Sequence, residues 1–85
     1  MAYRIDYKKS VAKDLKRIGM ANAKRIMDKI DKDLIHDPDR CPALGVPFAG
    51  MRKYRVGNYR AIFAIIDDCV LILRIQNRKD VYRKR

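Results

Sequence analysis

Glutamate is absent from this 85-residue chain, and serine and histidine occur once each. All ten acidic residues are aspartates, so there is no glutamate to be tuned as a general acid or base. A Ser-His-Asp arrangement would have to recruit Ser10, which is better explained as a helix cap. The four glycines, at 19, 45, 50 and 57, are too scattered to form a glycine-rich phosphate loop. Long hydrophobic runs are missing as well. The longest, Ala61–Ile66, has six residues, and the five of Cys69–Leu73 are set apart from it by Asp67 and Asp68, so neither spans a bilayer. Residues 1 to 7 carry no apolar block behind their charges, which makes a secretory signal unexpected and a cytoplasmic location, without membrane partners, the expectation. Cys41 and Cys69 form no Cys-x-x-Cys pair, and in a reducing compartment they are expected to be structural thiols, not a disulfide or a zinc site.

What the chain has is positive charge. Lys and Arg number 21 against 10 Asp, a net of +11. Residues 1–50 hold 11 basic and 7 acidic residues, whereas the shorter segment 51–85 holds 10 and 3, so the second half is the one expected to face a polyanion. Nucleic acid is the leading partner class, ahead of an anionic membrane surface or an acidic protein. With 48% apolar residues the chain should fold, and its length allows one domain, residues 1–85, with a single small core.

Tyr3, Ile5 and Tyr7 alternate with Arg4 and Asp6, which predicts a strand over about residues 2–7. Val11, Leu15 and Ile18 recur at helical spacing between a capping Ser10 and a terminating Gly19. Ala23, Ile26, Met27, Ile30 and Leu34 mark a second, longer helix that Pro38 ends. From Asp37 to Gly50, three prolines and two glycines without periodicity predict a loop. Beyond it Arg52, Tyr54 and Val56 alternate with Lys53 and Arg55, Gly57-Asn58 makes a tight turn, Tyr59–Ile66 is apolar except at Arg60, and Asp67-Asp68 turns the chain into Cys69–Ile75. Three strands joined by such short turns should form an antiparallel meander with the middle strand most buried. The expected fold is α+β: a first strand, a two-helix hairpin, then the meander in one sheet (β-α-α-β-β-β), with both helices on one face and the other face open. Gln76–Arg85 reads as a short helix or a tail.

His36, Asp37, Asp39 and Cys41 cluster, but at no recognised metal spacing, and Asp37-Pro38-Asp39 is equally a helix-ending turn, so neither metal nor cofactor is expected. Arginine and lysine remain. Arg60 lies in the most apolar strand, so it either forms a salt bridge or faces a site. Antiparallel pairing can gather Lys53, Arg55, Arg60, Arg74 and Arg78 around one concave patch near Tyr82. Guanidinium groups so placed suit phosphodiester oxygens and the added charge of a pentacoordinate transition state.

Tyr-Lys-Lys-Ser-Val-Ala-Lys-Asp-Leu-Lys-Arg-Ile at residues 7 to 18, Arg-Val-Gly-Asn-Tyr-Arg-Ala-Ile-Phe at 55 to 63 and Arg-Lys-Asp-Val-Tyr-Arg at 78 to 83 resemble the RelE/ParE superfamily of toxin-antitoxin toxins. The resemblance covers nearly the whole chain, most specifically in the middle block. It implies a β-α-α-β-β-β toxin held by a cognate antitoxin and, in the RelE branch, an mRNA interferase acting in the ribosomal A site. It also implies catalytic roles for Arg60 and Arg78 at the phosphate, Tyr82 in the active site and Lys53 before the second strand. Arg52, Arg55, Arg74, Lys79 and Arg83 are then the expected RNA-binding residues. The chain departs from the RelE pattern at Met51, where a further lysine stands, and at Asn77, where many relatives have histidine; asparagine takes no proton at pH 7. Two functional classes follow: a ribosome-dependent endoribonuclease using the RNA 2′-hydroxyl as nucleophile, and a ParE-like inhibitor of DNA gyrase with no chemistry. A plain RNA-binding module leaves the position of Arg60 unexplained.

Overall fold

The structure, a computed structural model, describes residues 2–44 and 50–77. Its elements are β1 (Arg4–Tyr7), α1 (Val11–Ile18), α2 (Met20–Asp33), a 3-10 turn (Pro38–Arg40), β2 (Met51–Val56), β3 (Tyr59–Ile66) and β4 (Cys69–Asn77). The four strands form one sheet in the order β1-β4-β3-β2. The meander is antiparallel, and β1 adds to it parallel to β4, with Arg4 opposite Cys69 and Tyr7 opposite Ile72. A strand that leaves through helices and returns on the same sheet produces this mixed pairing. Burial is accordingly shared between β3 and β4 instead of peaking in β3, because β1 covers the outer edge of β4.

The core lies on one side of the sheet. Val11, Ile26, Ile30 and Leu34 of the helical layer meet Val56, Ala61, Phe63, Val70, Ile72 and Ile75, and Phe63 and Ile72 are fully buried partners across β3 and β4. Gly19 joins the two helices at φ 99° and ψ 148°, a region essentially reserved for glycine. Its amide donates to Leu15 O at 3.1 Å, closing α1, while its carbonyl accepts from Ala23 N at 2.9 Å, opening α2. Polar contacts then hold α2 over the sheet: the Tyr7 hydroxyl donates to Asp31 Oδ1 at 3.4 Å, the Tyr54 hydroxyl to Asp33, and Asn22 Nδ2 to the Tyr59 hydroxyl at 3.5 Å. No helix among the described residues is long and apolar enough to cross a membrane.

Three local expectations change. Ser10 does not cap α1 with its side chain. The first free amides are met by a preceding turn, Val11 N donating to Lys8 O, Ala12 N to Lys9 O and Lys13 N to Ser10 O, so the hydroxyl is not needed. The segment after α2 is not all loop, since Ala43 bridges to Arg52 and Leu44 N donates to Met51 O, laying residues 43–44 along the outer edge of β2. Finally, β4 runs on to Asn77 and carries a bulge: Ile62 pairs with Arg74 but Phe63 with Ile72, which leaves Leu73 as the extra residue.

Candidate nucleic-acid interface

Strand alternation fixes which side chains face away from the core. Phe63, opposite Arg52, points into the core, so Arg60 and Ile62 of β3 point out on the other face, together with Met51, Lys53 and Arg55 of β2. Arg55 stands directly opposite Arg60, and Gln76 flanks Arg60 from β4. The bulge does the rest. By absorbing Leu73 it lets Ile72 and Ile75 both enter the core while Arg74 and Gln76 emerge on the open face.

Past Tyr7 the edge of β4 has no strand beside it, and α1 takes that place. Asp14, 5% exposed, accepts from the Ile75 backbone amide at 3.0 Å and from Arg74 Nε at 3.2 Å. One carboxylate thereby satisfies an orphan strand amide and fixes a guanidinium. The result is a groove of ≈ 930 Å³. Its cationic lining is Lys8, Lys13 and Arg17 from α1 and its approach, with Arg60 and Arg74 from the sheet. Leu44, Met51, Ile62 and Leu73 supply apolar surface, and Asp14 is the one carboxylate among the described residues of the lining.

Arg60 has no ion pair among the described residues, and its buried Nε has no hydrogen-bond partner. Of the two possibilities its position allows, a salt bridge is not formed among the described residues. Arg74 shares the groove. Lys53 and Arg55 are exposed on the same sheet face but outside the lining. Arg52 is not part of this surface: it alternates onto the core side, where its Nη1 donates to Cys41 O at 2.7 Å and Asp39 O at 3.1 Å, pinning the segment after α2. The sheet thus places Arg52 on the face opposite Lys53, Arg55 and Arg60. Arg78, Lys79, Tyr82 and Arg83 lie outside the described residues.

The remaining ionisable groups stand away from the groove. Burial, then the hydrogen bond to Asp33, pushes the Tyr54 hydroxyl far above its usual range, and burial with the Asp31 charge does the same for Tyr7. Burial raises the Cys41 thiol, and burial followed by the Asp6 hydrogen bond raises Cys69, so both are protonated at neutral pH. His36 is exposed in the turn after α2. Among the described residues no three His, Cys, Asp or Glu side chains cluster to hold a metal.

Lys13, Arg17 and Asp14 are the residues that sequence reasoning misses. A signal existed for Asp14: Val11, Asp14, Leu15 and Ile18 follow i, i+3, i+4, i+7, so an aspartate occupies a position of the apolar stripe.

The model of the ParE toxin of type II toxin-antitoxin systems (parDE) matches residues 5–82. No curated protein matches the chain. Among solved structures, the RelBE2 toxin-antitoxin complex of Mycobacterium tuberculosis contains a chain of 26% identity and TM-score 0.82, the match covering 92% of this chain and 100% of that one. An arginine-substituted form of Escherichia coli RelE in the free state shares the fold at 20% identity and TM-score 0.73, covering 96% and 92%. The chromosomal ParDE system of Pseudomonas aeruginosa shares it at 16% identity and TM-score 0.71, covering 89% and 96%.

Proposed function

This chain belongs to the ParE toxin family of type II toxin-antitoxin systems, and from its basic groove we propose that it is a ribosome-dependent endoribonuclease that cuts mRNA in the A site. The observation that carries the proposal is Arg60, a guanidinium in an open basic groove, without an ion pair among the described residues and with its Nε buried. A structural arginine in an apolar strand would be matched by a carboxylate. Here the one carboxylate among the described lining residues, Asp14, is taken by Arg74 and the Ile75 amide.

In the proposed reaction the 2′-hydroxyl gives up its proton as its oxygen attacks the adjacent phosphorus in line, the bond to the 5′-oxygen breaks, and that oxygen takes up a proton as it leaves. The product is a 2′,3′-cyclic phosphate or the 3′-phosphate formed from it. Arg60 holds the charge that builds on the phosphoryl oxygens, a preorganised contact worth on the order of 10² to 10³ in rate. Arg78 is assigned the second such contact, Lys53 adds charge or moves a proton, and Tyr82 orients or protonates. Using the RNA's own oxygen removes the need to activate water, for which the described groove offers neither histidine nor a free carboxylate. Arg55 and Arg74, with Lys79 and Arg83 beyond them, are assigned to backbone phosphates.

The solved toxin-antitoxin complexes that the chain resembles support a cognate antitoxin as its partner. An acidic antitoxin segment across the basic face, or in place of one of its elements, would neutralise it. Met51 in the groove lining, where RelE toxins have lysine, favours a second reading, a gyrase inhibitor without chemistry. Primer extension on mRNA after brief induction, run beside a gyrase supercoiling assay, separates the two. An A-site mRNA carrying one 2′-deoxy residue just 5′ of the scissile phosphate should resist cutting there alone; cleavage at the unmodified rate rules out the 2′-hydroxyl as nucleophile.

A further inference from the structure

Deepening the nuclease reading and resting on it, we propose that Lys13 and Arg17 of α1, together with Arg74, form a second phosphate subsite that grips the RNA backbone one nucleotide along from the phosphate at Arg60. Three observations converge on it. Lys13 and Arg17 are exposed, lie one helical turn apart and both line the groove. Arg74 is fixed beside them, because the buried Asp14 takes its Nε while its two terminal amino groups have no partner among the described residues. A half-exposed guanidinium held by its Nε presents a preset pair of donors. The register supplies the spacing: Arg74 pairs with Ile62, two residues along β3 from Arg60, so the two guanidinium rows are about 7 Å apart along the strands. That matches the step between successive phosphates of an extended single strand. The apolar floor of Ile62, Leu73, Met51 and Leu44 gives the intervening base a surface to lie on.

An acidic peptide also carries negative charge, but side-chain carboxylates do not repeat at the register distance unless the peptide is extended and acidic at alternate positions. A nucleic-acid backbone does so in any sequence. RNA is therefore the occupant assigned.

The test uses the full 85-residue chain and an uncleavable 2′-O-methyl oligoribonucleotide of about 10 nucleotides, with fluorescence anisotropy read over a salt series. Neutralising one phosphate on a single strand contributes about 0.7 to the slope of log K against log salt, so losing this phosphate in Lys13→Gln with Arg17→Gln and Arg74→Gln should lower the slope by about 0.7, part of that fall already being present in the α1 pair. The charge-matched control, Lys24→Gln with Lys32→Gln on the exposed side of α2, should leave the slope closer to that of the parent. Both pairs are exposed, so the variants keep the parent circular dichroism spectrum. An unchanged slope in the α1 pair, or an equal fall in the control, overturns the subsite. So does an α1 pair that loses an aspartate-rich peptide while binding RNA like the parent, which would make the rim a protein-docking edge. The probe is uncleavable and free of the ribosome, so failure here leaves the cleavage test of Arg60 untouched, and the reverse holds too.

Discussion

Replacing Arg60 by alanine should separate activity from stability, moving them in opposite directions. The guanidinium Nε is buried and unpartnered, a condition that costs about 1–3 kcal/mol in the folded state and vanishes on truncation. The directly opposed Arg55 adds a like-charge pair of about 0.2–1 kcal/mol, also relieved. Against this stands lost packing of the half-buried aliphatic stem, about 1 kcal/mol at ~0.8 kcal/mol per fully buried methylene. The balance runs from about 0.2 to about 3 kcal/mol in favour of the variant, and a domain of this size gains roughly 4–8 °C in melting temperature per kcal/mol. Cleavage of ribosome-bound mRNA should meanwhile fall on the order of 10² to 10³. Calorimetry and single-turnover cleavage on the same preparation measure both. Arg60→Lys should also cut poorly, because the planar fork is lost. A variant that melts well below the parent, or one that is equally stable and cuts at the parent rate, would refute the assignment, the first by making Arg60 structural and the second by making it idle.

Asp14→Ala should lose about 1–3 kcal/mol in urea denaturation, since the Ile75 amide is left unsatisfied, whereas Asp14→Asn keeps an acceptor oxygen and should lose less. Gly19→Ala should cost about 1–3 kcal/mol although nothing stands within 4 Å of an added Cβ, because the backbone at φ 99° and ψ 148° is strained for any other residue; a cost near zero would mean that the turn relaxes. The folded-state values of Tyr7 and Tyr54 are raised above 10.0, so the stability they carry is complete below pH 10 and is lost as pH climbs beyond it. Tyr7→Phe with Tyr54→Phe should flatten the fall in stability above pH 10, and an alkaline profile parallel to the parent's would contradict this.

Much of the architecture was legible because each element carries a complete local pattern. The alternation of Tyr3, Ile5 and Tyr7, the stripe of Val11, Leu15 and Ile18, and the paired turns at Gly57-Asn58 and Asp67-Asp68 each specify a conformation within a few residues. The parallel docking of β1 on β4 is a choice of neighbour, which no local period encodes. The bulge was hidden for a different reason: Leu73 ends an unbroken apolar run from Val70, so inserting it disturbs no alternation. The face that Arg52 takes was also legible. Period two puts it with Tyr54 and Val56, on the core face, and opposite to Lys53 and Arg55, so grouping it with those two contradicts the pattern that defined the strand. Asp14 shows the converse, a charged residue at an apolar helical position whose partner lies 60 residues away on another element.

The groove also bears on how such a toxin is restrained. With a single carboxylate among its described lining residues, and that one already engaged, the cationic rim has no counter-charge to spare among the described residues. Repulsion among these cations disfavours the free, compact chain. Any anionic segment that fills the groove recovers that free energy on binding, whether it is a nucleic-acid backbone or an acidic peptide. If the nuclease reading is right, substrate and antitoxin then draw on the same cations, so exclusion of one by the other needs no conformational change. Association with an acidic antitoxin segment should be steered by that field and should slow as salt rises. Kinetics that are insensitive to salt would mean that the antitoxin grips the toxin elsewhere.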